Sequence, residues 1–578
     1  MLEALVCIPL LALSQPTHCA REPIQSTPTV ERALAACFPE TTFAYAELAN
    51  PRSLLQRDGF DALLDRAGKL GALPTDVRQK IDAGLALATW VAGDDPFELG
   101  AALAAGGLAV GLSPSDASQP VWSLVMRGDD TDLLERMMTL GFARVAPGSD
   151  LLSTPHERVL GADVWNLGAE LSVARHGATL YAAGNAALLR DLLQRVDAGG
   201  AALATQAEFA LPEHADLAVW LDRKAVAQLA KGDNPLQRLD QIPHLPEVQF
   251  LLGAGLAELM TSNSFGLGVD VSTRGVAIEL TGHAPNERTG LAPTAAAPAP
   301  RLASAASMAW GQVHRDLDGI VRRRNQLFAP ELQPRFSKVL GELAIFFGGI
   351  EIEEDLLPAI GPWVEVGVAS MDFGAAPRPD LAMPGLVALF DVDPVREPNL
   401  MAAFQTAISI GSAERAQNGL LPYVLTLKPA GDAIITTGQL PPPAKGDGVD
   451  MAYNLAPACA FFDGTLVLGT HEAIVRAALQ DLAANARATA TAAVESIHLS
   501  GAPLADLVQA SREYLIMAAV LNDGKSRREA ESDIHTLTVA LQALDHANIS
   551  LTDTLDRLRL KAELILAEPL TLQSLSDR

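Results

Sequence analysis

One histidine–glutamate pair in the sequence begins like a zinc-binding motif. His471 and Glu472 start the pattern HExxH, in which two histidines four residues apart on a helix hold the metal. The fifth position is Val475 instead of histidine, and no two of the 11 histidines lie at metal-binding spacing on one predicted helix. We therefore predict that Glu472 is a first-turn carboxylate facing a helix N-terminus.

The densest acidic cluster is the segment EIEED, which contains Glu351, Glu353, Glu354 and Asp355. Paired carboxylates can exchange protons with a substrate or hold a cation such as Ca²⁺. The cluster also opens a predicted short helix before Pro358, where carboxylates suit the positive end of the helix dipole. The first half carries acidic residues at the corresponding place: Asp94, Asp95 and Glu98. This repetition favours the helix-start interpretation, with a weak calcium site as the alternative.

The densest basic run is Arg322–Arg324, on a predicted helix. Three consecutive helical residues point in different directions, so the run predicts a solvated face or ion pairs between domains more than a phosphate site. The tryptophans fall mostly in apolar predicted strands or helices, which favours core positions over a platform for stacking sugars. They are Trp90, Trp122, Trp165, Trp220, Trp310 and Trp363.

Several common catalytic signatures are missing from the sequence. It has no phosphate-binding GxxxxGK[ST], no GxGxxG after a strand and no GxSxG nucleophile motif. The sequence alone therefore predicts no catalytic, cofactor-binding or metal-binding residue, and no cofactor.

Length and charge narrow the class of protein. A chain of 578 residues is too long for one hydrophobic core, so two or more domains are expected. The net charge of −26 disfavours binding to nucleic acid or to anionic lipid surfaces.

The first twenty residues resemble an export signal. The stretch from Ala4 to Ala20 has no charged residue, and its apolar core is too short to span a bilayer. Glu3 is atypical there, because signal peptides begin with basic residues. We expect a signal peptide over residues 1–20, an exported or periplasmic protein, and no membrane span after its removal. Cys37 and Cys459 would then remain, either paired or as separate buried thiols.

One stretch of the sequence occurs twice. Residues 178–196 and 464–482 each contain a short apolar run, a glycine, a helix-capping residue and an amphipathic helix. Asn185 and Thr470 stand at the predicted N-caps. The predicted buried positions are Leu189, Leu192, Leu193 and Val196 in the first copy, and Ile474, Ala478 and Leu482 in the second.

Other segments recur in the same order, which indicates a duplicated chain. We predict a first α+β repeat at 21–285, an extended and solvated Ala/Pro-rich linker at 286–307, and a second α+β repeat at 308–570. The fold class is α+β: two tandem homologous domains, related by a pseudo-two-fold axis, each a largely antiparallel sheet with helices packed on one face. A doubly wound α/β sheet is the alternative.

Three segments resemble a bacterial exported family of unknown function. They are PETTFAYAELANPRSLL at Pro39–Leu55, YAAGNAALLRDLL at Tyr181–Leu193 and LVLGTHEAIVRAAL at Leu466–Leu479. Phe38 replaces the leucine that begins the family's first motif, and the second half has lost that motif at Ala305–Val313. The resemblance implies an envelope protein and transfers no catalytic residue.

The leading hypothesis is a non-catalytic exported protein, an interaction or structural component of the cell envelope, with an unknown protein as its partner. It would act through its surface or through the groove between its two similar halves. One alternative is a binder of an apolar ligand or lipid in a sheet–helix crevice. The other is a hydrolase whose site is assembled from distant positions.

Overall fold

The structure is a computed structural model that describes just over two thirds of the chain in detail. The described residues are 34–49, 103–114, 120–145, 155–168, 170–198, 202–206, 208–212, 215–229, 253–272, 275–283, 291, 297–302, 304–347, 350–371, 373, 377–379, 381–442, 449–484, 495–553 and 557–567. The expected signal segment, Trp90 and the acidic residues Asp94, Asp95 and Glu98 lie outside these ranges.

The chain divides into two compact units. Unit 1 comprises residues 1–237, 262–285 and 568–578, and unit 2 comprises residues 238–261 and 286–567. Residues 238–261 therefore precede the last two strands of unit 1 along the chain and yet belong to unit 2. No helix within the described ranges combines the length and the apolar character that crossing a membrane requires.

Unit 1 contains an antiparallel sheet and helices. Its strands are β1 (Ala44–Leu48), β2 (Leu108–Ser113), β3 (Val121–Arg127), β4 (Glu157–Val159), β5 (Ala162–Asn166), β6 (Ser172–His176), β7 (Thr179–Ala183), β8 (Leu217–Asp222), β9 (Ser264–Ser272) and β10 (Gly275–His283). Its helices are α1 (Thr131–Val145), α2 (Ala186–Ala198) and α3 (Arg223–Leu229). The strands pair in the order β4–β5–β6–β7–β3–β2–β1–β8–β9–β10.

Unit 2 has the same kinds of element. Its helices are α4 (Gly253–Met260), α5 (Leu317–Arg322), α6 (Arg324–Leu327), α7 (Gln333–Phe346), α8 (Glu397–Gln417), α9 (Glu472–Ala483), α10 (Gly501–Ala510), α11 (Arg512–Asp523) and α12 (Arg527–Ala543). Its strands are β11 (Ala309–His314), β12 (Ile360–Ala369), β13 (Gly385–Val392), β14 (Val424–Ala430), β15 (Ala433–Gln439), β16 (Ala458–Phe462), β17 (Thr465–Gly469), β18 (Glu495–Ser500), β19 (Leu544–Asp553) and β20 (Arg557–Leu566).

The second sheet repeats the pairing order of the first. Its strands pair as β14–β15–β16–β17–β13–β12–β11–β18–β19–β20. This is the order of the first sheet, with β11 in the position of β1, β12 in the position of β2, and so on to β20 in the position of β10. These pairings are all antiparallel, which confirms the prediction of antiparallel sheets in a mixed α+β fold. It rules out the doubly wound alternative for the strands described, because that fold needs parallel strands.

The repeated helix fills the core in each unit. Leu189, Leu192 and Leu193 of α2 are buried against one face of the first sheet, whereas Val196 is exposed. In α9 the buried positions include Ile474 and Ala478. The predicted stripes are therefore confirmed except at Val196, which is exposed, and at Leu482, which is only partly buried; both lie near the ends of their helices.

Helices lie on both faces of each sheet, not on one face as the sequence predicts. In unit 1, Val125 packs in the cluster that contains α2, while its neighbour Leu124 packs with Leu134 of α1. Adjacent strand residues point to opposite faces, so α1 and α2 cover different sides. In unit 2, Leu389 packs with α9 and Phe390 packs with α8 in the same way.

The end of the predicted linker packs on the second sheet instead of being solvated. The backbone N–H groups of Arg301 and Leu302 both donate to the buried carboxylate of Glu365 on β12. Burial raises the pKa of Glu365, although the two N–H groups and the Arg301 guanidinium oppose this rise. Ser304 donates to Asp481 of α9 at 2.8 Å. Hydrogen bonds to buried carboxylates therefore fix Arg301, Leu302 and Ser304. The composition of the linker does not reveal this restraint.

Candidate functional site

A group of polar and aromatic side chains lies on one face of the second sheet, where β11, β18 and β19 are adjacent. Trp310 is directly opposite His498, which in turn is directly opposite Asn548. Ser500 is opposite His546 on the same two strands. Opposed residues, and residues two apart on a strand, share a face, so all five side chains lie on one side. These five residues are named the His498 cluster.

Two neighbouring rings stack on the imidazole of His498. Its centroid is 6.1 Å from the Trp310 ring, at an interplanar angle of 21°, and 5.3 Å from the His546 ring, at 27°. The contacts on both sides restrict the orientation of the imidazole. Trp310, His498 and His546 are each half-buried, so solvent reaches the cluster.

The hydrogen bonds of His498 define the roles of its two ring nitrogens. Nδ1 lies 2.7 Å from Oδ1 of Asn548, and Nε2 lies 3.4 Å from Oγ of Ser500. The amide oxygen of asparagine can only accept, so Nδ1 carries the proton in this arrangement. Nε2 of the neutral ring is then an acceptor that faces the serine hydroxyl. Serine, histidine and an orienting oxygen in this order form the arrangement used in nucleophilic catalysis.

Ser500 stands where strand β18 passes directly into helix α10. It has extended backbone angles and occupies the N-cap position, but its side chain makes no capping hydrogen bond. An N-cap side chain normally accepts from the second or third helical N–H. Pro503 is the third helical residue and has no N–H, which removes one of these two donors. The serine hydroxyl is therefore directed to His498 and not to the helix.

The equivalent face of unit 1 is filled by its own chain. Tyr45 and Trp220 are directly opposite each other there, as Trp310 and His498 are in unit 2. The ring of Phe209 packs edge-on against both, with centroids 5.7 Å from Tyr45 and 5.4 Å from Trp220. Tyr45 and Trp220 are almost fully buried. The first unit therefore has a closed aromatic core where the second has a solvent-accessible polar cluster.

Two buried polar atoms beside the His498 cluster have no hydrogen-bond partner among the described residues. They are Oε1 of Gln312 and Oγ of Ser496, which belong to directly opposed residues on β11 and β18. Gln312 is 1% exposed. Buried polar atoms normally form hydrogen bonds. These two atoms are therefore an exception, and they lie next to the His498 cluster.

The opposite face of the same strands is apolar and partly exposed. Ile497 is directly opposite Ile549. On one side the row of opposed residues continues through Gly311, Val366 and Ala388, and on the other side it continues to Ala562. The most exposed large apolar residues of this surface are 36–48% exposed: Val366, Leu386, Ile497, Ile549 and Leu564. We name these five residues the apolar face. Contiguous exposed apolar surface is typical of interaction sites.

One groove on the surface does not suit an enclosed ligand. Its volume is about 540 Å³, and its lining comes from a single helix, α8, between Ala402 and Ala413. Binding pockets usually enclose most of the ligand between several elements. This groove therefore gives little support to an apolar ligand held in a crevice.

The acidic cluster of the sequence analysis forms a helix start with basic partners. Glu353 and Asp355 lie in the first turn of a short π-helical segment, Ile352–Leu356. Glu353 pairs with Arg324 at 2.7 Å, and Asp355 pairs with Arg396 at 2.6 Å. Within the described ranges no three potential metal ligands converge on one point. The helix-start interpretation is confirmed. Arg324 of the basic run forms its ion pair within unit 2, whereas the sequence predicts ion pairs between domains.

Glu472 is the first residue of α9, as predicted, but the expected cap at Thr470 is wrong. Glu472 forms ion pairs with Lys428 at 2.6 Å and Arg476 at 2.7 Å. Burial favours the neutral acid, but these two partners outweigh it and lower the pKa of Glu472. His471 is the N-cap residue, because the Thr470 hydroxyl accepts from the N–H of Leu386 on β13 instead. Asn185 does cap its helix, accepting from the N–H of Leu188 at 2.8 Å.

The tryptophans and cysteines are mostly structural. Trp165 and Trp220 are fully buried, which confirms their predicted core positions, whereas Trp310 is half-buried in the His498 cluster. Cys37 and Cys459 are both buried and form no disulfide, so the interpretation as separate thiols is confirmed.

The sequence analysis did not identify the His498 cluster. One signal was available: Ser496, His498 and Ser500 alternate with apolar residues, and His546, Asn548 and Ser550 do the same. Such alternation places polar residues on one face of each strand. It does not reveal that the two strands are neighbours, which only the pairing in the structure shows.

Comparisons with known proteins provide no relative. No family model, no curated protein and no solved structure matches the chain. The resemblance to an exported family of unknown function therefore stays a prediction.

Proposed function

We propose that the chain is an exported interaction protein of the cell envelope, which binds a partner protein through the apolar face. The observation that carries this proposal is the row of apolar residues in register across six strands of unit 2. Ile549, Ile497, Gly311 and Val366 are successive cross-strand neighbours in this row, and Leu386 lies on the next strand. Burial of these exposed apolar side chains against a partner is favourable, because it removes them from water.

The charge of the chain agrees with a protein partner. A net charge of −26 keeps the protein soluble and opposes binding to nucleic acid or anionic lipid. The cross-strand row at the centre of this surface, Ile549, Ile497, Gly311 and Val366, contains no charged residue. Interface centres are similarly depleted of charge, while charged residues lie at the rim.

Site-specific photo-crosslinking tests the proposed interaction. A photoreactive phenylalanine analogue replaces Ile549 in one variant and Lys561 in a control, and each is expressed in the source cells. Ile549 and Lys561 lie on neighbouring strands but on opposite faces. We expect a crosslinked protein from Ile549 and not from Lys561. The same products from both positions, or none from Ile549, would contradict the proposal.

The proposed location rests on the sequence of the first twenty residues alone. Cell fractionation and N-terminal sequencing of the purified protein test it. We expect a protein in the envelope fraction whose N-terminus follows the signal segment. A protein in the cytoplasmic fraction that retains Met1 would contradict export.

We also propose that the two units descend from one duplicated ancestor. The identical strand order supports this, as does the recurrence of the buried helices α2 and α9 after equivalent strands β7 and β17. Experimental coordinates of each unit test the proposal by superposition. We expect Gly184 to coincide with Gly469, and a failure of these segments to superpose would contradict a common origin.

A further inference from the structure

We propose that Ser500 is the nucleophile of an ester-hydrolysing site, with His498 as its general base and Asn548 as the residue that orients His498. This is a second activity, independent of partner binding at the apolar face. It lies on the other side of the same strands and can be tested separately.

The first argument is the geometry of the three side chains. Oγ of Ser500 is 3.4 Å from Nε2 of His498, and Nδ1 of His498 is 2.7 Å from Oδ1 of Asn548. The nucleophile therefore faces the nitrogen that can accept its proton, and the other nitrogen is held by an oxygen. Hydrogen bonds of this kind are often long before substrate binds, so 3.4 Å is compatible with proton transfer.

The second argument is that the structure restricts the ring orientation of His498, while the Ser500 hydroxyl makes no helix-capping hydrogen bond. The rings of Trp310 and His546 stack on the two sides of His498. Ser500 makes no capping bond, although it occupies the N-cap of α10. At the equivalent position of unit 1, Asp222 uses its carboxylate to cap α3. The serine hydroxyl is therefore available for chemistry in a position where the first unit has a structural carboxylate.

The start of α10 supplies a site for developing negative charge. The first N–H groups of a helix have no intrahelical acceptor and carry partial positive charge. In α10 these groups belong to Gly501 and Ala502, the two residues that follow Ser500. We assign them as the donors that stabilise the oxyanion of the tetrahedral intermediate.

The reaction follows from these roles. Oγ of Ser500 attacks the carbonyl carbon of an ester while Nε2 of His498 takes the hydroxyl proton. The intermediate collapses, the bond to the leaving oxygen breaks, and His498 gives its proton to that oxygen, which releases an alcohol. Water then attacks the acyl-serine ester and gives a proton to His498. Release of the carboxylic acid returns that proton to Ser500.

The open position of the cluster indicates the substrate class. The stacked rings are half-buried and lie on a sheet face, so the site can take the ester of a molecule too large for a closed pocket. The aromatic rings would pack against the apolar or planar part of such a substrate. We therefore assign the substrates as carboxylic esters carried on large or surface-bound molecules.

Covalent labelling tests the nucleophile in the full-length protein. A fluorophosphonate probe reacts with activated serines, and peptide mass mapping identifies the modified residue. We expect labelling at Ser500, its loss in Ser500→Ala, and at least a tenfold slower reaction in His498→Gln. The control Ser550→Ala changes a serine on the same face of β19 and should leave labelling unchanged. Absence of label at Ser500, or labelling that is insensitive to His498→Gln, would overturn the proposal.

Two separate cysteine variants, at positions 500 and 550, test the role of His498 as the general base by a second reaction. Iodoacetamide alkylation is compared between Ser500→Cys and Ser550→Cys, each with and without His498→Gln. Thiolates react faster than thiols, and a neighbouring histidine raises the thiolate fraction. We expect alkylation at position 500 to be at least tenfold faster than at position 550, and His498→Gln to abolish the difference. Equal rates in folded variants, as checked by circular dichroism, would overturn the role of His498.

Discussion

Asp222 and Ser500 occupy equivalent positions in the two units, and only Asp222 caps its helix. Each is the last residue of a strand that passes directly into a helix. Oδ1 of Asp222 accepts from the N–H groups of Lys224 and Ala225 at 2.9 Å and 3.1 Å, whereas the Ser500 hydroxyl faces His498. The residue at this strand–helix junction therefore stabilises the helix in unit 1, whereas in unit 2 its side chain is directed to His498.

This difference predicts unequal effects of alanine at the two positions. Asp222→Ala should lower the free energy of unfolding of its unit by about 1 kcal/mol, because two helical N–H groups lose their acceptor. Ser500→Ala should change the free energy of unfolding by less than about 0.5 kcal/mol, because no cap is lost. Urea unfolding followed by tryptophan fluorescence measures both. Equal losses would show that Ser500 caps α10 in solution.

Gly253 cannot be replaced by alanine without loss of stability. Its φ of +83° is unfavourable for other residues, and an added Cβ would lie 2.5 Å from Nη1 of Arg315 and 2.9 Å from Oε1 of Glu495. Arg315 and Glu495 form a buried ion pair at 2.9 Å. We expect Gly253→Ala to lower the free energy of unfolding of unit 2 by about 2 kcal/mol or more, because it adds backbone strain and disturbs this pair.

Gly341 provides the matched control for this substitution. It lies in helix α7, and a Cβ there would meet no atom within 4 Å. Gly341→Ala should therefore raise the free energy of unfolding by about 0.5–1 kcal/mol through helix propensity. Thermal unfolding of the two variants should shift in opposite directions. A shift of the same sign in both would contradict the packing at Gly253.

The buried histidine His471 should make unit 2 less stable in mild acid. Burial lowers the pKa of His471 from its ordinary value of 6.5, against an opposing hydrogen bond to the Tyr453 carbonyl. As the pH falls below 6.5, the unfolded chain binds a proton that the folded chain resists, so stability decreases. We expect His471→Gln to reduce the slope of melting temperature against pH between about pH 5 and pH 8. The exposed His535→Gln is the control, and an equal change in slope for both would contradict this assignment.

The two buried thiols, Cys37 and Cys459, should resist alkylation until the protein unfolds. Burial raises the pKa of Cys459 to about 12, and it also raises the pKa of Cys37 despite the nearby Arg127. Thiols held protonated and buried react slowly. Iodoacetamide at about pH 8 should leave both unmodified in the native protein and modify them in urea. Rapid reaction of native Cys459 would contradict its burial.

The same experiment tests signal removal by counting thiols. The whole sequence has four cysteines, and Cys7 and Cys19 lie within the expected signal segment. Mass spectrometry of the unfolded, alkylated protein from source cells should show two modified cysteines. Four would indicate that the segment is retained.

Local patterns predicted those parts of the fold that depend on neighbouring residues. The buried stripe of α2 follows from side-chain periodicity and is present apart from Val196. The N-cap at Thr470 failed because a distant strand, at Leu386, competes for its hydroxyl. Sequence spacing does not report such a competitor.

The His498 cluster shows the same limit for function. His498 and Asn548 lie fifty residues apart in the sequence and become neighbours only through the register of β18 against β19. A shift of one residue in that register would place Asn548 on the other face. The chemistry of the cluster therefore depends on long-range pairing, which a single sequence does not specify.

The position of β1 and β11 within their sheets has a consequence for how the chain acquires its structure. β1 pairs with β8, and β11 pairs with β18. The first strand of each sheet can therefore complete its pairing only after a strand much later in the sequence has been synthesised. Contacts this distant in sequence slow folding and leave strand edges exposed in the meantime. A chain released before β18 is made would hold β11 without one of its two neighbours, so the unpaired edge of β11 would be open to pairing with other chains.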